Sequence, residues 1–258
     1  MQDAAPDHVE TLDFKTDSGL GARARMGLIV LQTDQTIEHE LTDLFGDQKD
    51  VALYAARIPN AMEVTQETLR QMALDLPRTA ALLPPSFGFD VIGYGCTSGA
   101  TMIGEDRVDT LIREVHPGAK TTNPISACKA AFSALGLRRI ALVTPYAVDV
   151  TLEMRNNLHE AGFETNAIAS FNQSDDFTVA RISSESILKA ILQIGSRSDC
   201  DGVFVSCTSL RVMQIIDEAE QQLGKPVISS NQALAWHMMR LAGLDETPAG
   251  AGRLFGTI

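Results

Sequence analysis

The chain of 258 residues is poor in basic and aromatic residues and has only four cysteines. Its 33 acidic side chains outnumber 21 lysines and arginines, giving a formal net charge of -12. This argues against a nucleic-acid surface, because phosphate contacts need clustered basic side chains. Cysteines at positions 96, 128, 200 and 207 form no CxxC motif and are too few for a disulfide framework. We therefore expect free thiols and no metal site.

Long apolar runs are also missing. No stretch approaches the roughly 20 apolar residues of a transmembrane helix, and residues 1–20 have no apolar signal-peptide core. We therefore expect a cytoplasmic protein without a membrane partner. Because neither a GxGxxG nor a Walker motif occurs, we also expect no nucleotide and no other cofactor.

Short apolar runs alternate with amphipathic stretches along most of the chain. Strands are predicted at 26–31, 51–58 and 91–94, and again at 139–144, 163–169 and 202–205. Helices are predicted between and after them, including 65–83, interrupted at Pro77, and 210–223. Two successive βαβαβα units predict an α/β fold with two parallel sheets flanked by helices.

Each unit ends its third predicted strand in the same motif. Asp90 precedes Cys96-Thr97-Ser98 at the offset at which Asp201 precedes Cys207-Thr208-Ser209. The repeat predicts two pseudo-symmetric Rossmann-like lobes with an active-site cleft between them. We assign residues 1–24 to an N-terminal arm that could cover a partner subunit of a homo-oligomer. Residues 25–121 and 231–258 are assigned to the first lobe, and 122–230 to the second.

The repeated motif suggests acid–base or nucleophilic chemistry. Ligands of parallel α/β sheets bind beyond the carboxyl ends of the strands, where Cys96 and Cys207 are predicted to lie. The Thr and Ser residues after each cysteine offer N–H groups and hydroxyls that suit a small carboxylate substrate. A helix N-terminus would lower the pKa of each thiol. One thiolate could then abstract a proton or attack carbon while the other thiol donates a proton.

Four segments resemble one known superfamily. They are GLIVLQTDQTIE (27–38), GYGCTSG (93–99), VTPY (143–146) and VSCTSLR (205–211). The chain resembles the aspartate/glutamate racemase superfamily, in the branch of maleate cis-trans isomerases, arylmalonate decarboxylases and racemase-like ectoine-utilisation proteins. The likeness covers most of residues 25–245 and leaves the substrate open.

The resemblance implies roles for matching positions. Cys96 would add to a substrate double bond or exchange a proton, Cys207 would be the opposing acid or base, and Tyr146 would hydrogen-bond the substrate carboxylate. Arylmalonate decarboxylases generally carry glycine at the first cysteine position, so two cysteines favour racemisation or cis-trans isomerisation. The alternatives are a decarboxylase that uses Cys207 alone and a catalytically silent metabolite-binding relative.

Two acidic positions depart from the isomerase pattern. Asp34 stands where maleate isomerases have asparagine, and Asp175-Asp176 lies near their other substrate-binding asparagine. Both changes favour a substrate with a cationic or hydrogen-bond-donating nitrogen, although Asp175-Asp176 could instead form a solvated turn. The candidate catalytic residues are thus Cys96 and Cys207, and the candidate substrate-binding residues are Asp34, Thr97, Ser98, Tyr146, Thr208 and Ser209.

Overall fold

Apolar segments form two four-stranded parallel sheets in the computed structural model, which describes residues 9–46, 48–61 and 65–257. The first sheet has the order β2-β1-β3-β4 and the second β6-β5-β7-β8. The strands are β1 Ala24–Leu31, β2 Val51–Ile58, β3 Val91–Gly95, β4 Lys120–Thr122, β5 Arg139–Thr144, β6 Glu164–Ser170, β7 Gly202–Val205 and β8 Val227–Ser229. The predicted α/β architecture with two equivalent parallel sheets is confirmed.

Helices flank both sheets and bury their apolar faces against them. They are α1 Ile37–Phe45, α2 Gln66–Ala80, α3 Thr97–Ile103, α4 Glu105–Arg113, α5 Pro124–Ala134, α6 Val148–Glu160, α7 Asp176–Val179, α8 Ser184–Gly195, α9 Ile216–Leu223 and α10 Ser230–Leu241. Short 3-10 turns occupy Pro85–Phe87, Met213–Ile215 and Arg253–Gly256. None of the helices described is long and apolar enough to span a bilayer.

The aspartate of each repeated motif joins neighbouring strands at the amino end of the sheet. Asp90 accepts a hydrogen bond from the Arg25 backbone N–H at 2.8 Å. Asp201 accepts one from the Arg139 backbone N–H at 3.0 Å and also binds the Arg139 guanidinium. The same acceptor therefore fixes the start of β1 in one sheet and of β5 in the other. This structural role accounts for the aspartate in the repeat.

The last strand of each sheet leads into a helix that contacts the other sheet. Helix α5 follows β4 and contacts β8, while α10 follows β8 and packs against α5 and β3. This exchange of helices buries a continuous apolar core between the sheets. The exact domain boundaries stay a prediction.

The predicted interruption at Pro77 is wrong. Helix α2 continues through Pro77 to Ala80. Proline inside a helix removes one N–H donor and costs about 3 kcal/mol. Leu69, Met72, Leu76 and Ala80 on one face of α2 are buried, and we attribute the continuity of the helix to this packing.

The predicted helix at 210–223 begins later than expected. Residues 206–212, here called the Cys207 segment, form neither helix nor strand, and α9 begins only at Ile216. Cys207 has a φ of 129°, which a non-glycine residue adopts only at a cost. The two lobes therefore differ directly after their cysteines, because α3 starts immediately after Cys96.

Candidate active site

One cavity lies where the carboxyl ends of β3 and β7 meet. The cavity is narrow and partly open to solvent. Seven of the eight candidate site residues line it: Cys96, Thr97, Ser98, Tyr146, Cys207, Thr208 and Ser209. The other lining residues are Leu31, Asn60, Ala61, Thr68, Leu69, Met72 and Asp176. The structure thus brings both repeated motifs to one site, and Asp34 is not part of the lining.

Cys96 occupies the N-cap position of α3. Its Sγ accepts a hydrogen bond from the Gly99 N–H at 3.2 Å and lies 3.8 Å from Ser98 Oγ. Burial nevertheless raises the pKa of the Cys96 thiol to about 12. The expectation that a helix N-terminus would lower this pKa is wrong, because the cost of burying a thiolate exceeds the stabilisation by the Gly99 N–H.

Cys207 has a different environment. Its backbone N–H donates to Ser230 Oγ at 3.0 Å, and no helix starts at the following residues. Burial and the nearby Asp176 carboxyl raise the pKa of the Cys207 thiol, whereas hydrogen bonds from the Ser209 N–H and the Tyr146 hydroxyl act in the opposite direction. Burial also raises the pKa of Tyr146, so this hydroxyl keeps its proton and serves as a donor.

The raised pKa of Cys96 predicts slow alkylation of this thiol in the substrate-free protein. At pH 8 a thiol of pKa about 12 is ionised to about one part in 10⁴, so we expect Cys96 to react with iodoacetamide roughly 10³-fold more slowly than a free cysteine. The rate should rise about tenfold per pH unit, because only the thiolate reacts. Mass spectrometry of the Cys96 peptide measures it, and a plateau below pH 8 would contradict the prediction.

Asp34 caps a helix. Its Oδ1 accepts hydrogen bonds from the Thr36 N–H at 2.7 Å and the Ile37 N–H at 2.9 Å, at the start of α1. Its Oδ2 is buried and accepts no hydrogen bond of ordinary geometry, although the Thr208 hydroxyl is close enough to lower the pKa. Burial has the larger effect and raises the pKa of Asp34. This carboxyl thus lies at the start of α1 beside Thr208, and its role in substrate binding stays a prediction.

The two residues of the Asp175-Asp176 pair have different surroundings. Asp175 is exposed and caps α7 by accepting from the Thr178 N–H at 2.8 Å. Asp176 is buried, lines the cavity and accepts a hydrogen bond from the Thr33 hydroxyl. Burial raises the pKa of Asp176. A solvated turn thus describes Asp175 alone, and no local sequence pattern distinguishes the two residues.

A comparison with known families identifies the chain. The family model described as arylmalonate decarboxylase (Amdase) matches residues 26–255. The chain belongs to the arylmalonate decarboxylase family. Among curated relatives, the arylmalonate decarboxylase of Bordetella bronchiseptica is 32% identical over 54% of this chain and 58% of its own length. The maleate isomerase of Alcaligenes faecalis is 21% identical over 91% of this chain and 97% of its own length.

Several solved structures are similar to this fold. The maleate isomerase Iso of Pseudomonas putida S16 is 25% identical, with a TM-score of 0.83 over 90% of this chain and 98% of that one. A double mutant of arylmalonate decarboxylase in a liganded form is 26% identical, with a TM-score of 0.81 over 90% and 98%. A cysteine-to-serine mutant of the Nocardia farcinica maleate cis-trans isomerase, with a covalently bound succinylcysteine intermediate, has a TM-score of 0.83 at 24% identity, over 90% of this chain and 98% of that one.

This member of the arylmalonate decarboxylase family has no lysine, arginine or histidine among the residues lining the described cavity. A bound carboxylate would therefore depend on backbone N–H groups and hydroxyls, as the Thr and Ser residues of the motifs suggest. Within the described part of the chain, no three His, Cys, Asp or Glu side chains lie together in a way that could hold a metal ion.

Asn60 also lines the cavity, although no sequence motif pointed to it. It follows β2 and exchanges hydrogen bonds with Thr33, accepting from its N–H at 3.2 Å and donating to its hydroxyl at 2.8 Å. Because Asn60 lies at the same edge of the sheet as Cys96, the rule that ligands bind beyond the carboxyl ends of strands could have found it.

Proposed function

We propose that this chain catalyses cofactor-independent racemisation or cis-trans isomerisation of a small carboxylate through two opposed cysteines. The observation that carries the proposal is the convergence of Cys96 and Cys207 on one cavity. The two thiols lie at equivalent positions of two equivalent sheets, so they can approach a bound molecule from different sides. Thr97, Ser98, Thr208 and Ser209 would hold its carboxylate.

The reaction requires one thiol to ionise when substrate is bound. The Gly99 N–H stabilises a thiolate on Cys96, and the Tyr146 hydroxyl does so for Cys207. In racemisation, the thiolate takes a proton from the carbon next to the carboxylate and the opposing thiol delivers its own proton to the other face. In isomerisation, the thiolate adds to a carbon–carbon double bond, rotation follows, and elimination restores thiolate and double bond.

The relatives support this chemistry. Proteins named maleate isomerase match about nine-tenths of this chain. The succinylcysteine in the Nocardia farcinica enzyme supports addition of a cysteine to the substrate. The second candidate is decarboxylation of a malonate, with Cys207 alone as proton donor, which the 32% identity to the Bordetella bronchiseptica decarboxylase favours.

Incubation in deuterated water tests the proposal. Maleate and enantiopure amino-acid derivatives are the first probes, with formation of fumarate, loss of optical rotation and deuterium next to the carboxylate as readouts. Release of carbon dioxide from phenylmalonate would favour the decarboxylase instead. Binding of these probes without any turnover would overturn both and favour a metabolite-binding relative.

We predict that the carboxyl of Asp176 affects which substrate the protein prefers. It is the acidic side chain among the described lining residues, and no cationic side chain accompanies it. We expect Asp176→Asn to shift the ratio of kcat/KM values from nitrogen-bearing carboxylates towards maleate by roughly 10- to 100-fold. Asp175→Asn is the control and should leave the ratio unchanged, because Asp175 is exposed and caps α7 outside the described lining. Equal shifts in both variants would contradict this assignment.

A further inference from the structure

The Cys207 segment is held by side chains of other elements. Cys207 lies at a φ of 129° in a stretch without regular secondary structure, so its own backbone preferences do not explain its position. Ser230 Oγ accepts the Cys207 N–H at 3.0 Å. The Thr36 hydroxyl donates to the Ser209 carbonyl at 2.9 Å. Contacts from outside the segment thus hold the thiol in this strained geometry.

Glu40 on α1 makes the most extensive of these contacts. Its Oε1 accepts hydrogen bonds from the Val212 N–H at 3.0 Å and the Met213 N–H at 3.1 Å, at the end of the segment. Its Oε2 accepts one from the Asn231 amide at 2.7 Å, and that amide also donates to the Thr208 carbonyl at 2.9 Å. Glu40 therefore acts on both ends of the segment and reaches the residue next to Cys207.

These contacts favour an ionised carboxylate. Three N–H donors point at the two oxygens of Glu40, and an ionised carboxylate only accepts hydrogen bonds. A glutamine would turn an NH₂ group towards some of these donors and leave a buried donor without a partner. Burial, with a smaller contribution from the Asp34 carboxyl, raises the pKa of Glu40 to about 7, so the group is ionised at pH 8.

We propose that Glu40 is a positioning residue that fixes the Cys207 thiol in the cavity through Asn231 and the backbone of the Cys207 segment. The role rests on the proposed function, since a fixed thiol matters for proton transfer to a bound substrate. Glu40 itself lies outside the described lining and acts through the residues it binds.

Thiol alkylation tests the positioning role without any substrate. In Glu40→Gln at pH 8, we expect iodoacetamide to modify Cys207 on the order of tenfold faster than in the unaltered protein, because the segment opens more often. Cys128, which lies in α5 outside the described lining, should change less than about twofold, and Cys96 should change less than Cys207, since the hydrogen bonds of Glu40 go to the Cys207 segment, Met213 and Asn231. Mass spectrometry of each cysteine peptide gives the three rates.

Glu220→Gln is the matched control. Glu220 is also buried and accepts two backbone N–H groups, from Val227 and Arg253, each at 3.0 Å, but it lies away from the Cys207 segment. This variant should leave the Cys207 rate unchanged. An unchanged Cys207 rate in Glu40→Gln overturns the proposal, and so does an equal acceleration of Cys96, Cys128 and Cys207.

A second variant covers the case in which Glu40→Gln does not fold. Asn231→Ala removes the link between Glu40 and the Thr208 carbonyl and should also accelerate Cys207 selectively. An unchanged Cys207 rate in a folded Asn231→Ala protein overturns the proposal. Because alkylation needs no turnover, the rates remain readable even if no tested acid is converted, an outcome that would count only against the proposed function.

Discussion

Replacement of Cys207 by serine is expected to lower turnover by roughly 10²- to 10⁴-fold, the usual contribution of a positioned acid or base. Serine keeps the size and position of the side chain, but its hydroxyl is far less acidic than a thiol. In racemisation or isomerisation, Cys96→Ser should lower turnover by a similar factor. Steady-state kinetics and deuterium incorporation measure both effects.

Two further cysteines provide matched controls for these substitutions. Cys128 is buried in α5 and donates to the Ile125 carbonyl at 3.1 Å, and Cys200 lies near the carbonyls that precede β7. Neither belongs to the described cavity lining, so serine at either position should leave kcat within about twofold. Full activity of Cys96→Ser with loss in Cys207→Ser would contradict the two-cysteine mechanism and indicate the decarboxylase alternative.

Gly99→Ala is expected to lower turnover by about 100-fold, since a misplacement of about 1 Å can have this effect on catalysis. A Cβ at position 99 would lie 2.8 Å from Cys96 Sγ, 2.7 Å from Tyr94 Oη and 2.9 Å from Met72 Cε. The Cys96 thiol, which accepts the Gly99 N–H, would have to move. Overpacking of this kind should also lower the free energy of unfolding by about 1–3 kcal/mol.

Gly195→Ala is the control that distinguishes the effect of moving the Cys96 thiol from the effect of a lower stability. Gly195 lies in α8, and a Cβ there would come within 2.6 Å of Val203 and 2.8 Å of Leu223. We expect a similar loss of stability in thermal or urea unfolding, but normal turnover per folded molecule. Equal losses of turnover in both glycine variants would show that crowding of Cys96 is not the cause.

Much of the fold can be predicted from the sequence because the pattern of apolar residues is local. Strands β2, β5 and β7 have the predicted bounds, and the repeated Asp-to-Cys-Thr-Ser motif predicts two equivalent sheets. The prediction failed where packing between elements outweighs local preference. Helix α2 continues through Pro77, and the chain after Cys207 stays irregular where an amphipathic pattern favours a helix.

The sequence predicts which cysteines form the candidate site, but it predicts the pKa values of the site residues only in part. The strand-end rule places Cys96, Cys207 and their Thr and Ser neighbours together, as the cavity shows. Burial depends on the whole fold, so the sequence did not reveal that it raises the thiol pKa values. The same dependence explains why Asp176 lines the cavity while Asp34 caps a helix.

The sequence by itself determined the two-lobed α/β fold and the pairing of two Cys-Thr-Ser motifs, because periodicity and strand-end position are properties of short segments. Only the tertiary structure decided which acidic side chain lines the cavity, how Glu40 and Asn231 hold the Cys207 segment, and that burial raises the pKa of both thiols. Those features arise from desolvation and from hydrogen bonds between residues far apart in the chain, which no local pattern encodes.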